Sequence, residues 1–401
     1  MTNRTLYLFT DSWPYGNGES FLQDESLFLS KTFSVVRVIP LHKDNGIMRK
    51  IPANFVVMKS LLNEDPKHKI ALLKSGVFNS SPLFFACKLF FKEKAYKSRK
   101  RIWIFMTSLL VFRSSYKSFK ALPSSNDLLY FYWGDKSINM LPFLKQKFKT
   151  KAIARFHGSD LYEEVKGGYI PFRKWVLPYL DMAAPISEYG HEYLKKYGFL
   201  CPNRIETSRL GVFDNGLNPT ASNDNTLHLL TCSNIIKIKR LSLLLEAVMC
   251  LPFNVKWTHI GSGPLLKNLK EQSKQCPDNI KIDWMGQQNH EFVMQLYAKQ
   301  HFDIFVNVSE TEGIPVSIME ALSFGIPVLA TKVGGVAEIV DENVGYLVSK
   351  DIKSDELASL LTNFYANKAN AELRNNARRR FKIICDANEN YSHFCSTIEN
   401  L

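Results

Sequence analysis

The sequence predicts an α/β protein made of two doubly wound parallel-sheet domains. Three observations carry this. Short apolar runs alternate with segments of helical spacing, first from Leu6 to Pro185 and again from Leu227 to Thr331. The 401-residue length exceeds what one ordinary core holds. Between the two series, Gly211 to Asn225 reads GVFDNGLNPTASNDN, whose Gly, Asn, Pro, Ser and Asp punctuate the chain.

In order, Leu6 to Thr10 is apolar on both faces, as a strand covered on both sides must be. Asp11 to Glu19 holds Pro14, Gly16 and Gly18 and reads as a loop. Ser20 to Lys31 places Phe21, Leu22, Glu25, Phe28 and Leu29 at helical spacing, and Val35 to Pro40 is a second strand. Leu128 to Trp133, Ala152 to Phe156 and Met182 to Pro185 extend the first sheet. In the second series, Leu227 to Ser233, Val255 to Ile260, Ile280 to Trp284, Asp303 to Val308 and Ile326 to Thr331 read as strands. Leu241 to Cys250, Leu265 to Gln275, Glu291 to Gln300 and Pro315 to Phe324 read as the helices between them. The expected domains are 1–212 and 226–380, joined by a linker at 213–225. The final helix, about 381–401, is expected to pack back on the first domain.

Composition is globular, with 45% hydrophobic and 22% charged residues. The seven cysteines are scattered and form no CxxC pair, which points to a reducing compartment without a disulfide frame or a zinc site. No secretory leader is recognisable at the N-terminus. The longest mostly apolar run, Ile102 to Phe112, is well short of the roughly 20 residues a bilayer span needs. The expected place is the cytoplasm, peripheral on the inner face of the plasma membrane where the basic segment binds it. Charge is uneven. Residues 51–150 carry 18 Lys and Arg against 5 Asp and Glu, which accounts for the whole net charge of +13. Such a lobe implies an anionic partner, nucleic acid or anionic lipid. Leu83 to Lys120 interleaves Lys and Arg with large apolar residues. It reads equally as a membrane-interface segment or as two core helices with basic outer faces.

The most informative stretch is Ser309 to Val340, SETEGIPVSIMEALSFGIPVLATKVGGVAEIV. Glu312 stands just ahead of a helix and Glu320 on its body. Gly313, Ile314, Pro315 and Val316 form the helix start, where free amides and the positive end of the dipole favour an anion. An acid at a helix start and a solvated helix glutamate occur in many α/β domains, but the flanking Gly-x-Pro and the later Gly-x-Pro-Val strand make the pattern specific. A second constellation is Cys232 to Arg240, CSNIIKIKR, at another strand end. A third is Arg155 to Asp160, RFHGSD. A fourth is Pro14 to Glu19, PYGNGE, where Gly16 and Gly18 let backbone approach a ligand.

Together these motifs resemble the retaining glycosyltransferases of family 4 (glycosyl transferases group 1), enzymes of the GT-B fold, as found in bacterial capsule, O-antigen, lipopolysaccharide and exopolysaccharide synthesis. The resemblance implies two Rossmann-like domains facing across a cleft. It also implies transfer of a hexosyl-type sugar from a nucleoside-diphosphate sugar to a hydroxyl of a glycan or lipid-linked acceptor. By this likeness Glu312 contacts the donor sugar and Glu320 the ribose. Lys239 holds the diphosphate, and Asn234 stands where the family has an arginine. Lys237 or Arg240 is left to supply that charge. His157 faces the reacting carbon, with Asp160 and Glu19 in loop or acceptor support. Gly16 and Gly18 touch the ligands, and Met285 and Gln287 cradle the base. Retention in the family is thought to need no protein nucleophile. No Asp-x-Asp or metal-ligand spacing occurs, so neither a cofactor nor a metal is expected. Gly261-Ser262-Gly263-Pro264 lacks the third glycine of a dinucleotide fingerprint and reads as a structural turn. Two alternatives remain, a non-hydrolysing sugar-nucleotide epimerase of the same fold and a nucleic-acid-binding protein. The apolar content of the basic stretch argues against the latter.

Overall fold

The computed structural model describes residues 2–16, 18–42, 46–62, 82–196, 205–219, 224–368 and 371–401. Several sequence features fall outside them: Asn17 of the glycine loop, Cys201, residues 63–81 of the basic lobe and 220–223 of the expected linker. So do the side chains of Phe84 and Phe85.

The chain divides into two compact units, Met1–Ser208 with Tyr391–Leu401, and Arg209–Asn390. In the first unit, strands β1 (Thr2–Thr10), β2 (Phe33–Pro40), β3 (Phe55–Val57), β4 (Leu128–Phe131), β5 (Lys151–Phe156) and β6 (Met182–Pro185) form one sheet in the order β3-β2-β1-β4-β5-β6. Every pairing is parallel. Parallel strands are covered by helices on both faces, which is why β4 (LLYF) and β6 (MAAP) are buried throughout. Phe9 of β1 stacks on Phe131 of β4 at 4.4 Å. Beneath the sheet lies a closed polar group. Tyr130 donates to Glu25 at 2.7 Å, and Arg155 donates to Tyr130 at 2.8 Å and to the Ser208 carbonyl at 2.6 Å. The Arg155 guanidinium also sits 4.1 Å from the Phe394 ring of the C-terminal helix. Burial opposes the charge on Arg155, but Glu25 and the neighbouring tyrosines outweigh it and raise its pKa.

The second unit repeats the plan with β7 (Thr226–Cys232), β8 (Asn254–Ile260), β9 (Ile280–Trp284), β10 (Ile304–Asn307), β11 (Val328–Thr331) and β12 (Gly345–Val348), ordered β12-β11-β10-β7-β8-β9, again all parallel. Both orders are the doubly wound one, and each reverses direction once. The reversal lies between β1 and β4 in the first sheet and between β7 and β10 in the second. Ligands of such sheets sit outside the carboxyl ends of the strands at that point.

Three details differ from the sequence expectation. The described residues of the 213–225 stretch pack into the second unit instead of spanning freely. Asn218 is buried and donates to the carbonyls of Tyr297 at 2.6 Å and Gln300 at 2.7 Å. Pro315 is the N-cap of the helix Val316–Ser323, with extended ψ, so it precedes the first turn. The final helix starts at Ala387, after a wide turn at Phe381–Cys385, and only its part from Tyr391 belongs to the first unit.

Candidate functional site

In the second unit the site residues come from the two loops that flank the sheet's reversal. After β7, the chain runs through exposed Asn234 and Lys237 to a single tight turn, Lys237–Lys239. After β10, Val308 to Pro315 leads into the helix Val316–Ser323. The loops are tied to each other by backbone. Glu310 N donates to the Ile238 carbonyl at 2.8 Å, and Arg240 Nε donates to the Val308 carbonyl at 2.6 Å. Arg240 also donates to the Lys350 carbonyl. Its guanidinium thus fastens the loops, which leaves exposed Lys237 as the candidate cation beside Asn234.

This frame brings Lys239 and Glu312 together. Lys239 Nζ lies 2.5 Å from Glu312 Oε1, and Asn307 Nδ2 donates to the same oxygen at 3.2 Å. Asn307 also accepts from Ser309 N at 3.1 Å, so the end of β10 orients the carboxylate. Gly313 is fixed by its carbonyl, which accepts from Gly335 N at 2.8 Å. Gly334 has φ +52°, and a Cβ there would stand 1.9 Å from the Glu312 carbonyl oxygen. Only glycine lets the two loops meet so closely. Val316 and Ser317 open the helix, where amides have no partner within the helix. One small volume therefore holds a lysine, a carboxylate and a helix start.

Glu320 is buried on the same helix, and its Oε1 lies 2.8 Å from His290 Nε2. Met285 is half-buried and Gln287 exposed in the loop after β9. Met285 N donates to the His259 carbonyl at 3.0 Å. His259 is fully buried, its Nδ1 2.8 Å from Thr231 Oγ1. Burial lowers its pKa to about 4. The Gly261–Pro264 turn is structural, since a Cβ on Gly261 would come within 2.0 Å of the Ser233 carbonyl oxygen.

In the first unit, Glu19 organises the loop after β1. Its carboxylate accepts from the amides of Asp11 (2.9 Å), Ser12 (2.9 Å) and Trp13 (2.6 Å) and from Trp133 Nε1 (2.6 Å). Gly16 has φ +65°, whereas Gly18 does not take a left-handed conformation. Arg49 braces both, donating to the Gly16 carbonyl at 2.9 Å and the Gly18 carbonyl at 2.6 Å. Asp160 accepts from His157 N at 2.8 Å and Gly134 N at 2.6 Å. Burial would raise the Asp160 pKa, but His157 and these two amides hold it below the usual carboxylate range. The His157 ring packs 4.4 Å from Trp133 and 5.1 Å from Tyr132. Its Nδ1 is 3.8 Å from Asp160 Oδ2, too far for a hydrogen bond. Both ring nitrogens are buried without a hydrogen-bond partner among the described residues. Buried polar atoms are normally paired, so an unmet imidazole marks a candidate ligand contact.

The sequence reading reaches Gly334 only as part of a turn and does not reach Asn307, His290, Trp133 and Arg49 as site residues. Asn307 had a usable signal, a polar residue at the carboxyl end of an apolar strand. The others meet their partners only through the fold. Among the described residues no group of three His, Cys, Asp or Glu is arranged to hold a metal ion.

Residues 214–380 match the family model of the glycosyl transferases group 1. The chain is 29% identical over 218 residues to the putative colanic acid biosynthesis glycosyltransferase WcaL of Escherichia coli (strain K12), covering 51% of this chain and 52% of the relative. It is 26% identical over 253 residues to the amylovoran biosynthesis glycosyltransferase AmsK of Erwinia amylovora, covering 58% and 60%. The chain thus spans somewhat over half the length of these relatives. Among solved structures, Anabaena HepE in complex with UDP superposes with a TM-score of 0.66 at 16% identity, covering 99% of this chain and 100% of that one. Sucrose-phosphate synthase from Thermosynechococcus elongatus gives 0.70 at 14% identity, covering 99% of each. The two six-stranded parallel sheets are those of the GT-B fold, and residues 214–380 are similar to the glycosyl transferases group 1 family model.

Proposed function

We propose that the protein is a retaining, family 4 type glycosyltransferase that moves a sugar from a nucleoside-diphosphate sugar to a hydroxyl of a glycan or lipid-linked saccharide in bacterial cell-surface polysaccharide synthesis. One observation carries the reading. Lys239, Glu312 and the helix start at Val316 converge where the second sheet reverses direction, in the segment that matches the family. The family relatives act in colanic acid and amylovoran synthesis by their names, and HepE was solved with UDP.

In this reading the donor diphosphate takes Lys239 from Glu312 and accepts hydrogen bonds from the amides of Gly313, Ile314 and Val316. Glu312, released from its ion pair, turns to the sugar hydroxyls, and Glu320 meets the ribose. Charge growing on the leaving diphosphate is stabilised by the lysine and the helix start, with the reactants held in place. The diphosphate itself accepts the acceptor proton, so no protein nucleophile and no metal is required. The acceptor belongs at the inner face of the plasma membrane.

The test is transfer from UDP-, GDP- and ADP-sugars to lipid-linked oligosaccharides from bacterial membranes, with the new anomeric centre read by proton NMR. The donor's configuration should be retained in the product. Inversion overturns the mechanism, and an epimerised nucleotide sugar formed without acceptor would favour an epimerase.

A further inference from the structure

The first unit carries a surface that the donor reading leaves unused. Residues 82–120 hold ten Lys and Arg and a single acid, Glu93. They form two helices, Pro82–Lys92 and Arg99–Ser118, joined by a short turn. One face of this hairpin is packed. Phe105 and Phe112 are buried, and Phe105 meets Phe90 at 5.3 Å and Phe172 at 5.0 Å. The other face does not follow the usual polar pattern. Ile102, Trp103 and Met106 share a stripe with Arg99 and are 38%, 69% and 39% exposed. Phe91 and Tyr96 at the turn are 66% and 51% exposed. Lys88, Lys92, Lys94, Lys97 and Lys100 surround them, all exposed.

Beside the turn lies a cavity of about 430 Å³ lined by Lys92, Lys94, Arg101, Arg173, Lys174 and Lys196. Its carboxylates are Glu93 and Glu163. Glu93 is engaged, since it accepts from Tyr169 at 2.6 Å and from Phe172 N at 3.2 Å. Arg101 donates to the Gly168 carbonyl at 2.7 Å and lies 5.2 Å from the Tyr169 ring. Arg173 is buried and committed to the carbonyls of Leu161 and Asp160, so the charge the cavity presents to a partner is that of the exposed Lys92, Lys94 and Lys196 at its rim.

We propose that this hairpin docks on an anionic phospholipid bilayer, with Phe91, Tyr96, Ile102, Trp103 and Met106 in the interface and the exposed Lys92, Lys94 and Lys196 toward the headgroup phosphates. Charge complementarity selects an anion, and the apolar stripe selects one that brings an apolar phase with it. Phe91, Tyr96 and Trp103 would stack on the bases of a nucleic acid, but aliphatic Ile102 and Met106 in the same stripe gain nothing there and gain burial in an apolar phase. The inference does not depend on transferase activity, because it is read by binding alone.

The test is co-sedimentation of the full chain with phosphatidylglycerol or phosphatidylcholine vesicles at about 0.05 M salt, with a single-stranded oligonucleotide as competitor. The wild type should sediment with the anionic vesicles only. Each lost cation should weaken partitioning about fivefold, so Lys92→Ser with Lys94→Ser costs roughly 25-fold. Trp103→Ser should cost roughly tenfold. All three positions are on the surface, and circular dichroism verifies that the variants fold. Equal sedimentation with both vesicles, or none with either, overturns the proposal. So does loss of binding to an oligonucleotide competitor at equal charge, or anionic binding that survives either variant.

Discussion

Lys239 and Glu312 neutralise each other at 2.5 Å, and both side chains are mostly buried. In the proposed reading a donor diphosphate competes with a carboxylate for the lysine. Removing Lys239 deletes a charge-assisted contact and leaves Glu312 with Asn307 alone. Lys239→Ala is expected to weaken nucleotide binding roughly ten- to a hundredfold, the worth of one such contact, about 1.5–3 kcal/mol. Titration calorimetry with UDP and GDP measures it. Glu312→Gln should cost turnover more than affinity, because its assigned partner is the sugar. Glu320→Ala should lower nucleotide affinity through the ribose. A pH effect follows from His259. Burial lowers its pKa to about 4, below the free value of about 6.5. Between these values the unfolded state binds the proton more readily, so stability rises with pH there. It is full above about pH 6.5 and lost as pH falls toward 4, on the order of 3 kcal/mol for this group. Melting curves from pH 7 to 4.5 should show the fall, with a shallower slope for His259→Gln.

At the scale of elements, the site depends on loops held at fixed distance. Gly334→Ala would place a methyl 1.9 Å from the Glu312 carbonyl oxygen on a left-handed backbone. It should destabilise the second unit by about 2 kcal/mol or more and abolish nucleotide binding. Gly286→Ala is the control. Its φ is +66° but nothing lies within 4 Å, so it should cost only about 1 kcal/mol of backbone strain. Thermal melts of both variants decide. The same scale shows what was legible in the sequence. Strands such as β10 and β11 announced themselves as continuous apolar runs between Gly, Pro and polar breaks, because both their faces are covered. The helix that carries Glu320 was legible from the Gly-x-Pro ahead of it and the apolar residues along it. β3, of three residues, is too short for a period to show, and β12 opens on a glycine and is buried only at its two ends. The linker reading failed at Asn218 because turn-forming residues also serve as buried hydrogen-bond clamps. Pairs such as His290 with Glu320, or Glu19 with Trp133, are made by sheet order, which residue spacing does not encode.

At the scale of the molecule, two sheets with the same strand order each reverse once. The loops at those reversals carry Lys239 and Glu312 in one unit and Glu19 and Trp133 in the other. In the account proposed here, a lysine and helix amides take the role that a metal plays in other transferases. Turnover should therefore persist in EDTA, and loss of activity that Mn²⁺ or Mg²⁺ restores would contradict it. The central claim is that the second unit binds a nucleoside-diphosphate sugar through Lys239. The most direct measurement is the melting temperature of wild type and Lys239→Ala against UDP-, GDP- and ADP-sugars. A ligand at a hundred times its dissociation constant adds about 2.7 kcal/mol, which shifts a unit of this size by roughly 5–10 °C. At least one donor should produce that shift in the wild type and a much smaller one in the variant. No shift with any donor, or equal shifts in both proteins, would contradict the account.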